Sequence, residues 1–345
     1  MSFGQHRTPF FLCVLVGALL FAFLLSMSSG QYDIPMEAVA ASFAHAAGLP
    51  LFMDVVVTPE QEAVLWHIRL PRTLVGMMVG AGLGVSGAVL QGIFSNPLAD
   101  PGIIGVSSGA SVGAVLAIGI GVTTGSVLTL PAFAFTGAIL AVGLTVSLSM
   151  RRGRIPIMTL LLSGVVVGMF LAACTAAILT VMNEQKMQQY LFWTIGGLDY
   201  RRWDHVLLGI GPIGIGMSIM VLLARHLNLL AFGEVEARAA GMPVTAFRLL
   251  FLVLASLTTA AGVCISGNIG FVGLVVPHMV RLLIGPDHRR LLPASLLAGA
   301  VFLVLCDSLG RILLHGMEIR VGIMTAFIGT PYFLYLLRRH MKTAV

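Results

Sequence analysis

The chain has 345 residues, 58% hydrophobic and only 10% charged, with a mean hydropathy of +0.99. Soluble domains carry about 25% charged residues, so the composition excludes an ordinary soluble domain and specifies a polytopic protein of the lipid bilayer. The net charge of +6 does not point to nucleic acid, because the bases are scattered at the ends of apolar runs, where membrane topology places them.

A spanning helix needs about 20 mainly apolar residues. That length predicts an all-α fold of ten spans, at 9–29, 69–93, 102–121, 126–149, 157–182, 206–226, 247–267, 271–285, 293–314 and 321–338. The first run follows Arg7 and is read as a retained helix, since no small-x-small cleavage site stands out after it. Forty glycines fit helices that pack closely in lipid.

The segment 30–68 contains Asp33, Glu37, Asp54, Glu60 and Glu62 but neither Lys nor Arg, and is read as periplasmic. Within it, Thr58-Pro59-Glu60-Gln61 has the form of a helix start, with Thr as cap, Pro first and Gln three residues on. Trp66 then falls at the membrane surface. After the second span, Asn96-Pro97 breaks the chain, Asp100 is placed to cap the next helix, and Pro101 fits its first position. The segment from Asn183 to His205, with Trp193 and Trp203, predicts a helix lying in the interface.

Phe232 to Pro243 differs in kind. Glu234 and Glu236 favour a helix amino terminus and Arg238 its later part, while Gly241 and Pro243 stop it. A short charged helix in the inner connection 228–246 is an ordinary connector, or a grip for a soluble motor. Further on, Asp307 and Arg311 are four apart in the ninth span and face the same side. Ionisable groups inside spans are functional suspects, and His278 in the eighth span joins these two.

With the amino terminus inside, the inner connections hold 13 bases and four acids, against seven bases and ten acids outside. That asymmetry obeys the positive-inside rule and places both termini in the cytoplasm. Ala81-Gly-Leu-Gly-Val-Ser-Gly87 in the second span and Ala261-Gly-Val-Cys-Ile-Ser-Gly267 in the seventh share one pattern. Each is followed by an apolar-apolar-Gly step, at Ile103-Ile104-Gly105 and Phe271-Val272-Gly273. Five spans apart, the two helices run oppositely, as in an inverted repeat.

The four cysteines form no CxxC pair and read as small apolar filler. No Walker A loop, HExxH or nucleophile elbow occurs, so the chain is read as neither an enzyme nor a cofactor protein. Any ATP hydrolysis belongs to another subunit. An ion-gradient transporter would need mid-membrane acids, and only Asp307 offers one. A simple membrane anchor would leave the broken, Gly-rich spans without a purpose.

Arg69-Leu-Pro-Arg-Thr73, Ser86-Gly-Ala-Val-Leu-Gln-Gly92, Asn96-Pro-Leu-Ala-Asp-Pro-Gly102, Gly105-Val-Ser-Ser-Gly-Ala110, Gly270-Phe-Val-Gly-Leu-Val-Val-Pro-His-Met-Val-Arg281 and Gly322-Ile-Met-Thr-Ala-Phe-Ile-Gly-Thr-Pro-Tyr-Phe333 resemble the FecCD-type permeases of ABC importers. The similarity runs in order from about residue 60 to 339. The resemblance implies one permease domain over 1–345 with the type II importer fold in a bacterial inner membrane. It would work as a homodimer with two cytoplasmic ATPase subunits and a periplasmic substrate-binding protein. It implies import of an iron chelate, haem or a ferric siderophore, with cobalamin as the alternative. Gly233, Glu234, Glu236, Arg238 and Gly241 match the helix that couples to the ATPase. Arg69, Arg72 and Arg311 match outer arginines that pair with acids of the binding protein. One departure is Glu318-Ile-Arg-Val-Gly322, where Arg320 stands in place of the family's usual proline.

Overall fold

In lipid, backbone polar groups must be satisfied inside the chain, which makes helices the form that apolar runs take. A computed structural model describes residues 7–52, 54–314 and 316–343. In chain order its helices are α1 Arg7–Ser28, α2 Met36–Ala46, α3 Pro59–Ala63, α4 Leu70–Phe94, α5 Val106–Ile120, α6 Thr129–Ser149, α7 Ile157–Thr180 and α8 Glu184–Ile195. They continue as α9 Trp203–Leu222, α10 Ala224–Ala231, α11 Glu234–Ala239, α12 Val244–Ser266, α13 Val272–Ile284, α14 His288–Ile312 and α15 Val321–Thr343. Among the described residues, seven stretches are long and apolar enough to cross a membrane, and α5, α13 and the first part of α15 are shorter apolar helices. Each of the ten expected spans therefore corresponds to a helix.

Burial separates a centre from a periphery. Most of α4 and α12 is enclosed by protein, whereas α1 and α7 are largely open on their flanks. The hub is α4, which packs on α14, α12, α13 and α9, while α5 packs on α6 and α7. Backbone contact makes the hub tight. A Cβ at Gly87 would overlap the Gly273 carbonyl of α13, and one at Gly80 would overlap the Gly299 carbonyl of α14.

The internal echo becomes a shared local device. After α4 and after α12 the chain breaks, then enters a short helix from a left-handed residue: Gly105 (φ 93°) before α5 and Phe271 (φ 68°) before α13. The sequence pairing of Gly105 with Gly273 is thus two residues out of step with the backbone. The breaks also meet, since Ser107 Oγ donates to Asn268 Oδ1 at 3.0 Å.

Two boundaries differ from expectation. Thr58 does close a capping box with Gln61, but α3 does not stop before the membrane; it runs through a π-helical turn, Val64–Arg69, into α4 as one 36-residue stretch. Asp100 and Pro101 do start a helix, with Asp100 Oδ1 accepting from the Gly102 amide at 2.7 Å. That helix is a 3₁₀ turn, Pro101–Ile104, which ends at Gly105, so α5 begins four residues later than expected.

Candidate functional site

The chain carries its charge in two clusters, one toward each end of the bundle. At the end where α1 begins, Gly233 (φ 122°) turns the chain out of α10 into α11, and Gly241 (φ 78°) turns it out again. Glu234 sits in the first turn of α11 and reaches back. Its Oε1 accepts from Arg238 Nη2 at 2.6 Å, and its Oε2 accepts from both terminal nitrogens of Arg248 at 3.2 Å. Arg248, buried in α12, also donates to the Ile155 carbonyl at 2.9 Å, just before α7. One arginine therefore ties α11, α12 and the entry to α7.

Partial burial opposes the Glu234 charge, but the hydrogen bonds from Arg238 and Arg248 outweigh it and hold its carboxyl below the usual carboxylate value. Glu236 is exposed, and so are the apolar Phe232 and Val235, each 76% accessible. Sequence reasoning grouped Glu234 with Glu236; the structure separates an inward tether from an outward face. It missed Arg248 and Val235, because one acts across 93 residues and the other is a lone apolar residue.

The other cluster joins the opposite ends of α1, α4, α14 and α15. The π-helical turn ends at Arg69, whose guanidinium donates to the carbonyls of Met27 and Tyr32. One turn on, Arg72 donates to Asp307 through Nη2 at 2.8 Å and Nε at 3.0 Å, and to Glu318 Oε2 through Nη1 at 2.8 Å. Arg311 pairs with Asp307 at 3.2 Å and donates to Ser26 Oγ at 2.7 Å and the Ser29 carbonyl at 3.0 Å. All three arginines are buried and held by internal acceptors. Arg320 donates to the Phe192 carbonyl at 2.8 Å, lies 4.6 Å over the Phe192 ring, and pairs with Asp199 at 3.4 Å. The residue that departs from the family pattern thereby clamps the end of α8 to the start of α15.

His278 is buried in α13, and the cysteines are free thiols, with Cys264 and Cys306 buried in α12 and α14. No group of three or more His, Cys, Asp or Glu side chains suited to a metal ion occurs among the described residues.

Residues 18–339 match the model of the FecCD transport family. A cobalamin import permease of Halobacterium salinarum is 45% identical over 302 residues, 87% of this chain and 79% of that protein. A hemin transport permease of Yersinia pestis is 36% identical over 88% of this chain and 93% of its own length. A molybdate import permease of Haemophilus influenzae is also 36% identical, over 92% of each chain. A solved metal-chelate type ABC transporter in an inward-facing conformation superposes with a TM-score of 0.84 at 33% identity, covering 96% of this chain and 99% of its own.

Proposed function

The chain belongs to the FecCD transport family of ABC importer permeases, and from that premise we propose that it imports an organic metal chelate, cobalamin first among them. The observation that carries the cargo reading is the 45% identity to a cobalamin permease. Haem is the second reading, supported by the Ala99-Asp-Pro-Gly-Ile-Ile-Gly-Val-Ser-Ser-Gly-Ala110 run and by the hemin permease relative. Mass spectrometry of the ligand that co-purifies with the cognate binding protein tests both. A corrinoid supports the first reading, a porphyrin the second, and an oxyanion such as molybdate overturns both.

In this proposal the permease is a homodimer in the inner membrane, with the end that carries α11, the larger share of the bases and both termini in the cytoplasm. Two ATPase subunits grip the segment 228–246. Phe232 and Val235 supply the contact, flanked by Glu236, while Glu234 and Arg248 pass the displacement of α11 to α12 and to the entry of α7. Substitution Val235→Glu is expected to reduce co-purification of the ATPase by about tenfold, the effect of losing one buried apolar side chain of about 1.5 kcal/mol. Full retention would remove this face from the docking surface.

The substrate-binding protein docks on the opposite face, over segment 30–68 and the Arg69, Arg72 and Arg311 network. Because these arginines are buried and paired with internal acceptors, their proposed part is to fix the helix ends on which that partner docks. Asp307, held between Arg72 and Arg311, is not available as a mobile proton carrier, which disfavours an ion-driven cycle. Differential binding of the partners to outward- and inward-open states then drives transport.

A further inference from the structure

At the face that carries the Arg72 network, a cavity of about 820 Å³ opens between the start of α4, the α5–α6 turn, α8 and the first turn of α9. Four arginines line it, Arg72, Arg201, Arg202 and Arg320, against two acids, Asp199 and Glu318. Both acids are already engaged. Asp199 lies 3.4 Å from Arg320 and 3.6 Å from Arg72, and Glu318 lies 2.8 Å from Arg72.

Arg201 is left without a carboxylate. Among the described residues no acid lies within ion-pair distance of it. Its Nη2 reaches only the Gly197 carbonyl at 3.3 Å, its Nη1 only His205 Nε2 at 3.4 Å, and its buried Nε has no partner. Burial pushes the guanidinium down to about 10, with Asp199 opposing that shift and Arg320 and Arg72 adding to it. A desolvated cation at the wall of an arginine-lined cavity gains from an incoming anion what the fold does not provide, and the guanidinium fork matches carboxylate and phosphate oxygens.

We propose that this cavity is an oxyanion site centred on Arg201, with Arg202 beside it, for a molecule bearing a carboxylate or phosphate group. Such a ligand comes either free from the aqueous side or as the headgroup of an anionic lipid. The cavity lies at the end of the bundle opposite α11.

Thermal unfolding of the full-length permease tests it. In lipid-depleted detergent at constant ionic strength, citrate and inorganic phosphate are titrated against a chloride control. In parallel, nanodiscs of neutral phosphatidylcholine are compared with nanodiscs containing phosphatidylglycerol. Saturable stabilisation by citrate or phosphate, needing at least about tenfold more ligand in Arg201→Gln, supports the site with a free oxyanion. Stabilisation confined to the phosphatidylglycerol nanodiscs and lost in Arg201→Gln supports it with a lipid source. Arg201→Lys keeps the charge and is expected to retain part of the response, which a purely structural arginine would not predict. If Arg201→Gln does not fold, the exposed Arg202→Gln, expected to need severalfold more ligand, takes its place. Equal ligand response in wild type and variants, or no response to any probe, overturns the proposal.

Discussion

Asp307 holds the guanidinium groups of Arg72 and Arg311 in a place where all three side chains are at least nine-tenths buried. Removing the acid leaves two buried cations facing each other, a change that costs about 3–5 kcal/mol in proteins. Asp307→Asn is therefore expected to lower the unfolding midpoint of the permease sharply. Glu318→Gln, at a side chain 30% exposed, is expected to cost about 1 kcal/mol or less. Equal midpoints for the two variants would refute the central place of Asp307. The i, i+4 pairing of Asp307 with Arg311 was legible in the sequence, because helical spacing alone brings them together. The clasp by Arg72 was not, because it joins residues 235 apart.

Glu234 gives a residue-level prediction with a sign. Its carboxyl sits below the ordinary value in the folded chain, so the stabilisation it brings is complete above the unfolded value of about 4.3. It fades as pH falls through the lower folded value. Amide exchange across 234–241 is expected to be unchanged between pH 8 and pH 5.5, after correction for intrinsic rates, and to rise in protection-loss terms only under stronger acid. In Glu234→Gln the protection is expected to be low at every pH. A loss of protection already between pH 8 and pH 6 would contradict the bridge.

At the scale of elements, α11 was readable because its two acids, its arginine and Gly241 each mark a helix end by a local rule. What α11 pulls on was not readable. Arg248 links it to α12 and, through the Ile155 carbonyl, to α7. Likewise, no residue type announces the π-helical turn at Val64–Arg69, which arises where the chain must carry Arg69 toward the carbonyls of Met27 and Tyr32. Arg248→Met keeps the apolar stem but removes the charge-assisted bonds, each worth about 1.5–3 kcal/mol. The variant is expected to retain the ATPase in co-purification while transport per ATP hydrolysed falls about tenfold, and Arg248→Lys is expected to restore part of it. Loss of ATPase binding together with transport would make Arg248 a docking support and not a link.

For the whole molecule, the ten spans were legible because hydropathy and length act locally, while the packing order around α4 depends on glycine contacts that no periodicity reveals. Orientation rests on charge: 13 of the 20 bases fall on the side where α1 begins. In a background without the four native cysteines, Arg152→Cys and Tyr200→Cys place one thiol at each end, both at exposed positions. A membrane-impermeant maleimide is expected to label Tyr200→Cys in intact cells and Arg152→Cys only after permeabilisation. The reverse pattern would invert the molecule. It would also put α11 on the side without ATP, so coupling through Glu234 and Arg248 would fail together with the topology.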